Sequence, residues 1–473
     1  MLPQEIILSA CSTSTPGAGP SRPNTSLVPS IQAHDLLTCL PLHSYKSSTS
    51  ALHSLSYVPS RNGQGGTIMA VQENKSLLYV WAWQKDQMLS KLHLPDKLTC
   101  FSISPNGVWA TGGSPGGQIY LWELASGTLL SSFSAHYRQV VSLTFTPDSR
   151  LLLSASLDGS IHIHLVARLA EADHLGKPYG TLRDHTLAIR DVVVGKTSGV
   201  HGGRCWTISD DGTVKMWDLH PPFDLLCTFS LTPASIPTAL VVDSSERFFY
   251  VSTSNGDIFY VPLFRRRDEV GGLGAVEAVG GGVFGSSAVK LEGGRVISLK
   301  TAITALALSI TASHLLVGTV AGTVQIHSLP SHQHLSTISL PGPCSYISTL
   351  PRPPDMPVGP STTTKDLWPV MEVKPLERVK NPPSWRTREA SILLRADLDR
   401  LDSLRSVPVT KGNCAGLSVA VESQGTRYSL TEEKLRVLQE ENTALREGLE
   451  RATRINETMW RSIVDGVVES ESS

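Results

Sequence analysis

The feature that most constrains this chain is an internal repeat. The segments GGQIYLWEL (116–124), DGSIHIHLV (158–166) and DGTVKMWDL (211–219) superimpose, with KSLLYVWAW (75–83), NGDIFYVPL (255–263) and AGTVQIHSL (321–329) as weaker copies. Each reads as a tight turn followed by a strand whose side chains alternate between two faces. The aligned last positions are Trp81, Trp122, His164, Trp217, Val261 and His327, separated by 41, 42, 53, 44 and 66 residues. A base period of about 40–45 residues is that of a four-stranded propeller blade. The two long gaps have visible causes. Residues 168–180 form an extra loop, and a Gly-rich stretch at about 265–295 is expected to be a disordered insertion.

A second strand pair lies upstream of each turn, as in CFSISPNGVWATGG (100–113), SLTFTPDSRLLLSAS (142–156) and ALALSITASHLLVGT (305–319). Counted this way, six blades run from about 52 to 344. EIILSACS (5–12) and the run 26–45 supply strands of a seventh, which SYISTL (345–350) completes from the far end of the chain. Such closure joins the chain ends and removes sheet edges. Residues 1–350 are therefore expected to form one propeller, with a surface loop at 13–25.

Beyond it, 351–388 reads as a Pro-rich extended connector. Within it LWPVMEVKPLERVK (367–380) has alternating apolar residues suited to lying on the propeller surface. Residues 389–426 read as a short helix and linker, with Leu394, Leu398 and Leu401 on one helical face. Residues 427–465 read as a coiled-coil helix. Its seam is Leu435, Leu438, Asn442, Leu445, Leu449, Ala452, Asn456, Met459 and Ile463, spaced alternately by three and four. Ser429 and Glu432 suit a capping box, and Asn442 and Asn456 fall at a positions, where a buried Asn selects a parallel pair. Homodimerisation is the leading reading; packing on the chain's own propeller or on a partner is the alternative.

Composition narrows the function. Lys+Arg 41 against Asp+Glu 42 excludes a strongly basic nucleic-acid binder, and 40% hydrophobic residues suffice for a large core. No run of 18 apolar residues occurs, and the N-terminus lacks a basic secretory n-region, so an intracellular soluble protein is expected. Seven scattered cysteines without a CxxC support neither a disulfide framework nor a zinc site. No phosphate loop, dinucleotide fingerprint, nucleophile elbow or HExxH is present. His162/His164 and His332/His334 are strand-spaced pairs without an evident third ligand, so no metal or other cofactor is expected. The run Arg265, Arg266, Arg267 is followed by Asp268 and Glu269 and reads as a solvated loop. Asn24, Asn74 and Asn456 head glycosylation sequons that this reading leaves unused.

His136 and His185 occupy the position of the Gly-His dipeptide of WD repeats. His185 with Thr207 or Ser209, Asp211 and Trp217 suits the buried hydrogen-bond network of such a repeat, and His136, Asp158 and Trp122 are read in the same structural role. Because these residues recur at the blade period, they are read as structural rather than catalytic. The fold class is all-β: a seven-bladed WD40 β-propeller with a C-terminal coiled-coil helix.

The stretches SAHYRQVVSLTFTPDSRLLLSASLDG, RDHTLAIRDV (183–192), TISDDGTVKMWDLHPPFDLLCTFSL (207–231) and ERFFYVSTSNGDIFYVPL (246–263) resemble one WD-repeat family in particular. It is the pre-rRNA-processing WD-repeat subunit of the Rix complex (Ipi-three type). The resemblance implies a non-enzymatic nuclear scaffold, in the nucleoplasm or nucleolus, in large-subunit ribosome biogenesis. It implies a role in removing the second internal transcribed spacer. The implied partners are the Rix scaffold protein, the other Ipi subunit, the dynein-like AAA ATPase and pre-60S particles, with RNA contact indirect and no membrane contact. The competing reading is a WD-repeat substrate adaptor, for example of a ubiquitin ligase, for which no recruiting box is visible.

Overall fold

A computed structural model of the chain describes residues 4–12, 30–46, 48–60, 64–171, 176–196, 203–231, 235–266, 276–279, 289–291, 294–356, 369–370 and 372–380. The predicted helices at 389–405 and 427–465, and the loop at 13–25, lie outside the described residues.

The described strands form seven antiparallel blades around a ring. Blades II to VII start with inner strands Ser50–Val58, Cys100–Ile103, Val140–Phe145, Ile189–Val194, Pro237–Val242 and Ile303–Leu308. Each is followed by three further strands in chain order, except where blade VI is interrupted. Blade I closes the ring. Its inner strand, Cys344–Pro351, comes from the far end of the described propeller and pairs with Glu5–Cys11, which pairs in turn with Ser30–Asp35 and then Pro41–Lys46.

The turns between second and third strands explain the repeat phrases. Gly117, Gly159, Gly212, Gly256 and Gly322 all have positive φ there, and Asn74 takes that role in blade II. At Gly117 and Gly256 the space is as restrictive as the backbone. A Cβ on Gly117 would lie 2.0 Å from the His136 carbonyl oxygen, so the turn packs directly on the loop leading into the next blade.

Burial follows the seams. The apolar core divides into seven clusters among the described residues, one for each pair of adjacent blades. Along Glu5–Cys11, Ile6, Leu8 and Ala10 face blade II while Ile7 faces blade VII. This period-2 division is why the strand is buried on both sides. Hydroxyls stitch the inner strands together: Ser56 donates to the Phe101 carbonyl (3.1 Å), Thr144 to Val192 (3.2 Å) and Thr304 to Cys344 (2.6 Å).

The insertion departs from expectation. Blade VI takes its outer strand from Arg295–Ser298, so the insertion separates its third and fourth strands. Phe264–Arg266 pairs with Val276–Ala278, and Val289–Leu291 runs parallel to Leu225–Leu231 as a fifth strand on blade V. These pieces are ordered strands, not the wholly disordered loop that glycine content suggested. Leu291 supplies the reason, being buried with Phe229 and Leu231.

Ile7 is fully buried in the seam between blades VII and I. Ile7→Ala is expected to destabilise the propeller by about 2–5 kcal/mol. The check is a lower urea midpoint with an unchanged slope. An unchanged midpoint would remove this strand from the ring.

Candidate functional site

Two buried polar networks lie on the face formed by the second-to-third-strand turns and the loops between blades. In blade V, His185 Nδ1 is 2.9 Å from the Asp211 carboxylate and Nε2 is 2.7 Å from Thr207 Oγ1. The Trp217 indole N–H donates to the same hydroxyl at 3.0 Å. A neutral imidazole protonated on Nδ1 fits this chain: indole to hydroxyl, hydroxyl to Nε2, Nδ1–H to carboxylate. Asp211 also accepts the backbone N–H (2.9 Å) and hydroxyl (2.6 Å) of Thr213. Burial alone would raise its pKa, but the hydrogen bonds from His185 and Thr213 outweigh that and hold it well below 3.8.

Blade IV repeats the arrangement with one substitution. His136 lies 3.0 Å from Asp158 through Nδ1 and 2.9 Å from Ser154 Oγ through Nε2. Asp158 is likewise held below 3.8, burial being outweighed by hydrogen bonds from His136 and Ser160. The tryptophan position is His164, and His162 stacks on His136 with centroids 4.2 Å apart and planes at 15°. Burial, helped by His136, lowers the His162 pKa from 6.5 to about 4.

Trp122 does not join His136 and Asp158. It stands in the third strand of blade III, and its indole N–H donates to the Glu377 carbonyl at 2.9 Å. Of the two strand-spaced histidine pairs, His162 and His164 remain ring neighbours, with centroids 6.2 Å apart, while His332 and His334 each meet another residue. His332 Nε2 lies 2.9 Å from the Tyr250 hydroxyl and His334 Nε2 lies 2.7 Å from Thr337 Oγ1. Among the described residues no group of three His, Cys, Asp or Glu is placed to hold a metal. The histidine networks are sealed: the His185 and His136 side chains are 1% and 0% exposed, and Thr207 is fully buried. Each set, an imidazole between a carboxylate and a hydroxyl, holds a loop against a turn.

The opposite face carries a feature that sequence reasoning only outlined. From blade I the connector crosses blade II and reaches blade III. The Asp355 carboxylate accepts the Ser60 hydroxyl and the Gly66 N–H. Gly65 donates to the Pro369 carbonyl (2.9 Å) and forms a parallel bridge with Val370. Val373 and Leu376 enter the core between blades II and III. Glu377 makes three contacts there: its N–H donates to Gly127 (2.8 Å), its carbonyl accepts Trp122, and its carboxylate accepts the Leu129 N–H (3.1 Å). Gly127 makes room for this crossing, since a Cβ there would lie 2.3 Å from the Pro375 carbonyl oxygen. The alternating apolar residues of 367–380 were the available signal; the carboxylate and indole contacts had none. A cavity of about 510 Å³ opens beside the connector's start, walled by Tyr57, Trp83, Ile103, Tyr346 and Leu350.

Three outcomes follow from this geometry. His185→Ala leaves Asp211 and Thr207 without their shared partner, and is expected to destabilise by about 2–3 kcal/mol in urea unfolding. For His162, the folded pKa lies below the ordinary value, so the unfolded chain binds the extra proton between pH 6.5 and about 4. Its stabilising contribution is complete above pH 6.5 and is lost as pH falls toward 4. His34, His327 and His332 are also lowered by burial and act in the same direction, so His162→Gln is expected to flatten only part of this limb in thermal melts at stepped pH. Finally, Leu376→Ser with Glu377→Ala is expected to raise amide exchange across 372–380 while leaving the inner strands protected.

A WD domain, G-beta repeat model matches residues 127–164, which cover the blade III to IV junction. The chain is 33% identical over 353 residues to the pre-rRNA-processing protein IPI3 of Mycosarcoma maydis, covering 62% of this chain and 59% of that protein. It is 33% identical over 288 residues to the pre-rRNA-processing protein IPI3 of Yarrowia lipolytica, covering 60% and 65%. It is 31% identical over 295 residues to the human WD repeat-containing protein 18, covering 62% and 64%. The chain thus spans about three-fifths of the length of these curated relatives. It is a seven-bladed β-propeller with a WD-domain match, similar over about three-fifths of its length to proteins named for pre-rRNA processing.

Proposed function

We propose that this chain is a non-enzymatic scaffold subunit of a nuclear pre-60S assembly complex. In this reading it supports pre-rRNA processing at the second internal transcribed spacer and large-subunit maturation. The observation that carries the reading is its similarity to pre-rRNA-processing proteins over about three-fifths of the chain. The fold agrees physically. Its polar clusters are used internally to hold loops against turns, leaving a rigid ring whose faces and rim are available to partners. The partners proposed are the Rix scaffold protein, the other Ipi subunit, the dynein-like AAA ATPase and pre-60S particles, with RNA approached through protein. No observation favours the ubiquitin-ligase adaptor.

The coiled-coil segment 427–465 extends the proposal. Its seam of Leu435, Leu438, Asn442, Leu445, Leu449 and Met459 joins two copies of the chain. The domain division is proposed with it: propeller, connector, short helix and linker, then coiled coil.

Depletion of the protein is expected to accumulate precursors that retain the second internal transcribed spacer, and a tagged chain is expected to copurify with pre-60S particles. Normal spacer removal after depletion would overturn the scaffold reading. In light scattering, Leu438→Asp with Leu445→Asp is expected to halve the mass of a dimer; an unchanged mass would assign the helix to a partner.

A further inference from the structure

The seam that closes the ring contains a directly opposed pair of cysteines. Cys11 ends the N-terminal strand and Cys344 begins the last strand of the described propeller, and they are register partners in the antiparallel ladder of blade I. The next step of the ladder is the hydrogen bond from Ser12 N–H to the Pro343 carbonyl at 2.9 Å. That makes Cys11 and Cys344 a pair of the closer, non-hydrogen-bonded kind, whose Cα atoms in a regular ladder lie about 4.5 Å apart. Disulfides span Cα separations of about 4.4–6.8 Å. The two thiols also share a side. Cys344 packs with Ile7 in the seam toward blade VII, and Cys11 stands four residues, two full alternations, beyond Ile7. A one-residue bulge separates this pair from the Ala10–Tyr346 pair and accommodates the local geometry.

We propose that Cys11 and Cys344 form a redox-responsive latch on ring closure, dithiol in a reducing compartment and disulfide after exposure to a small-molecule disulfide such as oxidised glutathione. In the first step one cysteine thiolate attacks the glutathione disulfide, forming a mixed disulfide and releasing one glutathione thiolate. The second cysteine, deprotonated, then attacks the protein sulfur of the mixed disulfide and releases the second glutathione. Two protein thiols are oxidised, one glutathione disulfide is reduced to two thiols, and the two protons pass to the released thiolates and solvent.

Burial sets when this happens. Both cysteines are only 1% exposed, and burial beside Cys11 raises the Cys344 thiol far above its ordinary value. The closed ring therefore protects the dithiol, while parting of the two chain-end strands exposes both sulfurs. Reclosure then brings them together, so the latch seals rings that have opened. The bond joins residues 11 and 344, constraining nearly the whole propeller sequence of the unfolded chain.

The test uses the full chain, reduced and then incubated with oxidised glutathione in buffer and in sub-denaturing urea. The expected product is two hydrogens lighter, yields a linked peptide pair carrying residues 11 and 344 in non-reducing mapping, and forms faster in urea. Its thermal midpoint is expected to rise by about 5 °C and to return on reduction. Cys344→Ala and Cys11→Ala should each abolish the linked pair and the rise. If either variant fails to fold, mapping of the unaltered chain decides alone. Absence of the 11–344 linkage in both conditions, modification confined to the partly exposed Cys39, or a linked product with a lower midpoint would overturn the proposal.

Discussion

Everything in this propeller depends on one non-local pairing, Glu5–Cys11 against Cys344–Pro351. A four-stranded blade exposes two apolar faces and cannot bury either alone. Each of the seven clusters needs two blades, so the ring is stable only when the last seam is shut. The other blades are built from strands that follow one another along the chain, with insertions in blades IV and VI. Blade I alone joins segments more than 300 residues apart, and so meets the loop-closure entropy that the local meanders avoid.

The two faces of the ring carry different polar solutions. On one, His136 and His185 tie the loops leading into blades IV and V to the turns at Asp158 and Asp211. The histidine side chains are sealed, and the carboxylates stay ionised because donors surround them. On the other, the connector is docked like a tethered ligand, with two apolar anchors and a glutamate whose backbone and carboxylate both bond to blade III. Trp122 shows that the same sequence position does different work in different blades. In blade V the indole completes a histidine network, and in blade III it fastens the connector.

Much of this was legible in the sequence because it is local. Turn glycines at a period near 40–45 residues and strands of period two specify blade number, strand order and the chain ends that meet. His185, Thr207, Asp211 and Trp217 could be grouped because their offsets follow from one blade's geometry. Trp122 stands apart from His136 and Asp158 because a blade boundary lies between them; blade IV holds His164 at the tryptophan position. The strands of the glycine-rich insertion are not legible in its composition, which reports chain entropy. It does not report the neighbouring edge strand that Val289–Leu291 meets on blade V.

The amino-acid sequence by itself determined the blades, their turns and the need for a closing strand, since these depend on φ preferences and side-chain alternation over a few residues. Tertiary structure alone decided where the connector lies, which carbonyl receives Trp122 and which two thiols face each other in the closing seam. Those contacts join residues separated by 255 and 333 positions. At such separations no local propensity carries information, and only the packing of one blade against the next selects the partner.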